Sequence, residues 1–182
     1  MGPGRAGQAW AVATMSTKTR LAFYKGLRKE NPNSRIGDRL ICLVTGKPFS
    51  HCELVEFSRP VVGLTTASML SSSLRDGGVR AAWRVLDSDR WVVVEFDGDS
   101  KPAIDYIRGR IGTPYGWFDL LSFLLPFRVS WSGSDFCSEV VAAALGLDKP
   151  WHTSPGDLWD WAVQQPGARV VPDDELRNAW RA

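Results

Sequence analysis

The stretch "DFCSEVVAAALGL" (residues 135–147) carries the strongest helix signal in the chain, with an acid placed to cap it, alanines filling the middle and Gly146 near its end. Asp135 as N-cap puts Cys137 in the first helical turn. There the unpaired backbone N–H groups and the positive end of the helix dipole favour an anion. A thiolate at such a position is stabilised, and the thiolate is the effective nucleophile. Free cysteine is also among the most buried residue types, so core filling is the alternative reading, which the position at a helix start makes less favoured.

Upstream, the pattern changes from a helical to an alternating period. "PFSHCELVEF" (48–57) sends His51, Glu53 and Val55 one way and Cys52, Leu54 and Glu56 the other, which is a strand. "TRLAFYKG" (19–26), "LTTASML", "VRAAWRVL" and "RWVVVEF" read as further strands, the last valine-rich enough for the sheet interior. Between them, "SRIGDRLICLVTG" (34–46) predicts a short helix with Ile36, Leu40, Ile41, Leu43 and Val44 on one face and Gly46 as its stop. "SSSLRDGGVR" reads as a loop, in which Arg75 or Arg80 is a candidate for an acidic substrate group or simply part of a solvated turn.

Later in the chain the signals are helical. "KPAIDYIRGRIG" starts on a proline and ends at Gly112, "PYGWFDLLSFLLPF" predicts a short buried helix ended by Pro126, and "TSPGDLWDWAVQQ" opens with Ser154 as N-cap, Pro155 at the first helical position and Asp157 three after the cap. Trp159 and Trp161 on this last helix read as packing residues. Strands first and helices later predict an α+β fold with a mostly antiparallel sheet packed against helices.

Composition narrows the function classes. The 182 residues suit one domain, expected over 15–182. Residues 1–14 are expected to be a disordered extension or an upstream start, because Met15 opens the more natural "MSTKTRLAFYKG". Twenty-two basic and 20 acidic residues are scattered without a basic block, which argues against nucleic acid. Trp117 to Phe127, the longest apolar run, contains Asp119 and Pro126 and falls well short of the roughly 20 residues that span a bilayer. With no signal peptide apparent and three cysteines that form no C-x-x-C pair, a reducing, cytoplasmic setting is expected; delivery outside the cell is left open. Asp97, Asp99 and Asp105 lack ligand spacing and "GRIGTPYG" is no phosphate-binding fingerprint, so neither a metal nor another cofactor is expected. Nothing in the sequence sets the oligomeric state.

A thiol nucleophile normally needs a base, and the chain has two histidines, His51 on the alternating strand and His152 in the loop "PWHTSPG". A strand-borne histidine together with a cysteine at a helix start is the recurring arrangement of papain-like sites. "FSHCELV", then "GTPYGW", then "DFCSEVVAAALGL" resembles, in both chemistry and order, the permuted branch of the NlpC-type cysteine amidases, the YiiX/YaeF-like proteins, over roughly residues 18–165. The resemblance implies a circularly permuted papain-like fold and a cysteine hydrolase that cleaves an amide bond, in a cell-wall peptide (peptidoglycan) or another small amide, through a thioester acyl-enzyme. It implies Cys137 as nucleophile, His51 as general base, Tyr115 and the Cys137 backbone N–H as support for the thiol or oxyanion, and no cofactor. Glu53, which shares a face with His51, is the first candidate for the residue orienting the imidazole; Ser71, Ser72 and Glu95 are rivals, with Ser72 also a candidate for substrate support. Two alternatives remain open: a lipid acyltransferase or thioesterase on the same fold, and a non-catalytic binding or structural module of a phage or envelope assembly.

Overall fold

The computed structural model describes residues 18–26, 36–61, 64–116 and 135–178. Five strands, β1 (Lys18–Lys25), β2 (Phe49–Val61), β3 (Leu64–Ser73), β4 (Gly78–Val85) and β5 (Trp91–Asp97), with a two-residue β6 (Arg169–Val170), form one sheet in the order β4-β3-β2-β1-β5-β6. Every pairing in it is antiparallel. The helices are α1 (Ile36–Thr45), α2 (Lys101–Arg108), α3 (Cys137–Ala144), α4 (Pro155–Ala162) and α5 (Asp173–Asn178), with a 3-10 turn at Pro150–His152. The α+β class and the antiparallel sheet are therefore as the sequence predicts.

Strand alternation separates two cores. Leu21, Phe23, Cys52, Leu54, Leu70, Val94 and Phe96 bury one face of the sheet against Ile107 of α2, Cys137, Val140 and Val141 of α3, and Leu158 and Ala162 of α4. Trp159 sits edge-on to Phe23 with ring centroids 5.3 Å apart, and Trp161 edge-on to Phe96 at 5.5 Å, so both tryptophans of α4 are packing residues. On the opposite face Ala22, Val55, Met69, Trp91 and Val93 are buried with Val171 and with Leu176 of α5.

Several boundaries differ from the sequence reading, each for a physical reason. Ser71, Ser72 and Ser73 belong to β3 rather than to a loop, because they pair with Arg80, Val79 and Gly78; the turn is only Leu74–Gly77. Helix α2 stops at Arg108, and the chain then turns down to Gly112, whose φ of 95° suits glycine. In α1, Cys42 is buried but Leu43 is 79% exposed, so the apolar face is narrower than expected; Gly46 does end the helix, at φ 64°. Helix α4 has the anticipated cap: Ser154 Oγ accepts from the Asp157 N–H at 3.1 Å and the Asp157 carboxylate accepts from the Ser154 N–H at 2.9 Å. The expected helix at 114–127 begins differently, since Pro114 and Tyr115 lie in isolated bridges, and its remainder from residue 117 falls outside the described residues, as do residues 1–14.

Candidate active site

The site sits where β2 and β3 part. Their pairing runs from Val61↔Leu64 to Leu54↔Leu70 and ends there, while β2 continues along β1 through Cys52↔Phe23 and His51↔Tyr24. β3 continues along β4 to Ser73↔Gly78. The main-chain groups of Cys52 on the β3 side therefore lack strand partners and take others. Ser71 Oγ donates to the Cys52 carbonyl at 2.8 Å, and the Cys52 main-chain N–H faces the sulfur of Cys137, where it favours the thiolate. A buried backbone group left unpaired is costly, so this opening has a built-in preference for an acceptor such as a thiolate.

The start of α3 is wedged into that opening. Ser72 Oγ donates to the Asp135 carbonyl at 2.6 Å, and Ser71 Oγ lies 3.5 Å from the Cys137 carbonyl. The Asp135 N–H donates to Pro114 at 3.1 Å, and the Gly116 N–H donates to Asp135 at 3.2 Å. Asp135 is not the N-cap expected from sequence. Arg110 binds both of its carboxylate oxygens at 2.9 Å, an ion pair that outcompetes a capping hydrogen bond, and the cap position passes to Phe136 in extended backbone. Cys137 is thus the first residue of the helix and only 1% exposed.

His51 and Glu53 lie two apart on β2, with Cα atoms about 7 Å apart by strand geometry, a span that an imidazole and a glutamate side chain can close. Their contact is 3.0 Å, between His51 Nε2 and Glu53 Oε1. Arg80, reaching across from β4, closes a fork on the same carboxylate: Nη1 donates to Oε2 at 2.8 Å and Nη2 to Oε1 at 2.9 Å. Its Nε donates to Asp76 Oδ2 at 2.9 Å. The sulfur of Cys137 lies within interaction range of both the His51 imidazole and the Cys52 thiol. With Nε2 engaged by Glu53, Nδ1 is the nitrogen left for the sulfur.

The electrostatics follow from these contacts. Burial by itself would raise the Glu53 carboxyl, but the hydrogen bonds and charges of His51 and Arg80 outweigh it and hold the group down at about 2. An ionised Glu53 accepts only, so Nε2 carries a proton. Burial would lower His51; the charge and hydrogen bond of Cys137, then those of Glu53, raise it to about 10. Burial would raise the Cys137 thiol; the Cys52 hydrogen bond and the charge and hydrogen bond of His51 bring it down to about 5. Cys52 moves the other way, well above the ordinary thiol value, through burial and the neighbouring Cys137 and Glu53 charges. Cys42 on α1 is pushed up to about 11, first by burial and then by Asp38. Of the three buried thiols, Cys137 is the one whose surroundings favour the thiolate, and the same surroundings favour the imidazolium of His51.

The other residues singled out in the sequence fall as follows. Tyr115 bridges Asp135, two residues before the thiol, and packs its ring edge on Phe136 at 5.8 Å. Ser72 spends its hydroxyl on the Asp135 carbonyl, so its observed contact is structural rather than toward a substrate. Ser71 fastens β3 to Cys52. Glu95 is ion-paired to Arg20 at 2.6 Å and Arg169 at 3.2 Å and makes no contact with His51 among the bonds of the described residues. Arg80 is committed to Glu53 and Asp76 rather than presented to a substrate, and Arg75 lies on the exposed turn. His152 is exposed on the 3-10 turn beside Trp151. Cys52 and Trp91, whose ring centroid lies 6.4 Å from that of His51, join the site without having been singled out for it; strand pairing supplies the Trp91 contact, since both residues flank Tyr24.

Among the described residues, no group of three or more His, Cys, Asp or Glu side chains is arranged to hold a metal ion, and no helix is long and apolar enough to cross a membrane. Comparison with protein-family models, curated proteins and solved structures finds no match to this chain. The chemistry of the site is therefore read from its own residues.

Proposed function

We propose that the protein is a cysteine hydrolase that cleaves an amide bond through a thioester acyl-enzyme, in a circularly permuted papain-like domain. One observation carries the reading: a thiol at the first turn of α3 stands beside a histidine whose Nε2 is held at 3.0 Å by a buried glutamate. That is the nucleophile, base and orienting group of acyl-transfer chemistry in one connected chain.

The Cys137 thiolate attacks the substrate carbonyl carbon, forming a C–S bond and moving the carbonyl π electrons onto oxygen. The main-chain N–H of Cys137, at the start of α3, serves as a donor for that oxyanion. As the tetrahedral adduct collapses, the C–N bond breaks and the His51 Nδ1 proton goes to the departing amine. The neutral imidazole then takes a proton from water, whose oxygen attacks the thioester; collapse of the second adduct breaks the C–S bond and restores thiolate and imidazolium. Glu53 stays ionised throughout, stabilising the imidazolium and keeping Nε2 protonated. A small amide or a cell-wall peptide is the substrate class carried by the sequence resemblance.

Incubation of the full chain with a panel of N-acyl amides and peptidoglycan peptides, followed by rapid acid quench and mass spectrometry, tests this. An acyl adduct on the peptide carrying Cys137 is expected, with turnover abolished in Cys137→Ala while its melting temperature stays close to the parent's. Activity retained in Cys137→Ala would overturn the proposal.

A further inference from the structure

Arg80 stands one strand beyond the splayed pair, cross-strand to Ser71, and passes over β3 to reach β2. Its side chain is 13% exposed, and Nε, Nη1 and Nη2 each donate to a carboxylate. The fork leaves Glu53 one rotamer in which Oε1 accepts from both Arg80 and His51. Asp76 on the β3–β4 turn anchors Arg80 and is itself held by Arg84 at 2.9 Å. An ordered chain of charges thus runs from the exposed turn to the thiol. Resting on the hydrolase reading, we propose that Arg80 is a positioning residue of the reaction: it fixes the Glu53 carboxylate in the geometry that binds His51 Nε2, and through it fixes the imidazole that serves Cys137.

The charge arrangement argues for this role over a packing or substrate-binding one. Among the described residues, the titratable or charged groups in contact with Glu53 or with its direct partners are His51 on its own strand, Arg80 from β4, Asp76 from the turn, and Cys52 and Cys137 beside the imidazole. Arg80 is the cation that grips both oxygens of the carboxylate, sharing Oε1 with His51. Lysine at this position keeps a charge but not two parallel N–H groups and a third for Asp76, so it is not an equivalent.

The test is the pH dependence of iodoacetamide alkylation at Cys137, read by peptide mass spectrometry on the intact chain. The proteins are the parent, Arg80→Met, Arg80→Lys, Glu53→Gln, the Glu53→Gln/Arg80→Met double variant and His51→Ala. Loss of a partner that orients a functional histidine costs about 10- to 100-fold in metal sites, and a similar drop is expected at pH 6 for Arg80→Met, with Arg80→Lys between it and the parent. The acid limb of the profile should move to higher pH in both. Because Arg80 acts through Glu53, the double variant should label no more slowly than Glu53→Gln alone.

A parent-like profile in folded Arg80→Met or Arg80→Lys overturns the proposal, and so do effects that multiply in the double variant, which would mean a route other than Glu53. Should Arg80→Met fail to fold, Arg80→Lys decides, together with the double variant, in which no buried carboxylate is left unpaired. A parent profile identical to that of His51→Ala would instead overturn the hydrolase reading itself, so the two failures are distinguishable.

Discussion

Acid should destabilise this protein through Glu53, and replacing that one residue isolates the effect. The carboxyl is 1% exposed and falls from an ordinary 4.5 to about 2 in the folded chain, so folding is linked to its ionisation. Because the folded value is depressed, the stabilisation is fully present above pH 4.5 and is lost as the pH falls toward 2. At 1.36 kcal/mol per unit, the shift amounts to roughly 3 kcal/mol, of which about 2 kcal/mol should disappear between pH 5 and pH 3. Glu53→Gln has no such proton to take up, and it leaves Arg80 buried with part of its fork unpaired, a loss of about 3–5 kcal/mol at pH 7.

Urea unfolding followed by tryptophan fluorescence, on parent and variant at pH 7, 5, 4 and 3, gives the gap between them. Other carboxylates titrate in both proteins and cancel, apart from Asp76, which shares Arg80. The gap should narrow by about 2 kcal/mol from pH 5 to pH 3. A gap that stays constant over that range would refute the reasoning, because Glu53 would then not be held ionised by His51 and Arg80.

Three further substitutions follow from the packing. Ser72→Ala removes the hydroxyl that clips β3 to the Asp135 carbonyl and should cost about 1 kcal/mol. In a chain of this size that is a fall of about 2–4 °C in Tm by differential scanning calorimetry. In Gly78→Ala the new Cβ would lie 2.1 Å from the Thr113 carbonyl oxygen, a backbone atom that cannot swing away. The bridge from β4 to residues 113–114 should therefore open at a cost of about 1–3 kcal/mol, read from urea denaturation. Cys52→Ala deletes a donor to the Cys137 sulfur, and the thiolate absorbance near 240 nm should then appear at higher pH than in the parent.

What the sequence made legible was whatever depends on local period. The alternation in 48–57 put His51 and Glu53 on one face of a strand, and that face is where they meet. The Ser154–Asp157 cap was legible because both of its partners lie within one helical turn. What depends on register between distant segments was not. Nothing local to "PFSHCELVEF" says that β3 leaves β2 after Leu70, yet this parting creates the opening into which Cys137 fits and brings Cys52, a core residue, against its sulfur. The destination of Arg80 likewise requires knowing that β4 lies two strands from β2. Asp135 misled as a cap because the competing Arg110 is 25 residues away in sequence.

The pairing of Cys137 with His51 is tested most directly by the rate of iodoacetamide labelling at pH 6, compared across the three thiols and between the parent and His51→Ala. Cys42, Cys52 and Cys137 are all buried, so burial is common to them and the contrast reports ionisation. Cys137 should label far faster than the other two, and the advantage should vanish in His51→Ala. Equal, slow labelling of all three thiols, or a Cys137 rate that His51→Ala leaves unchanged, would contradict the account.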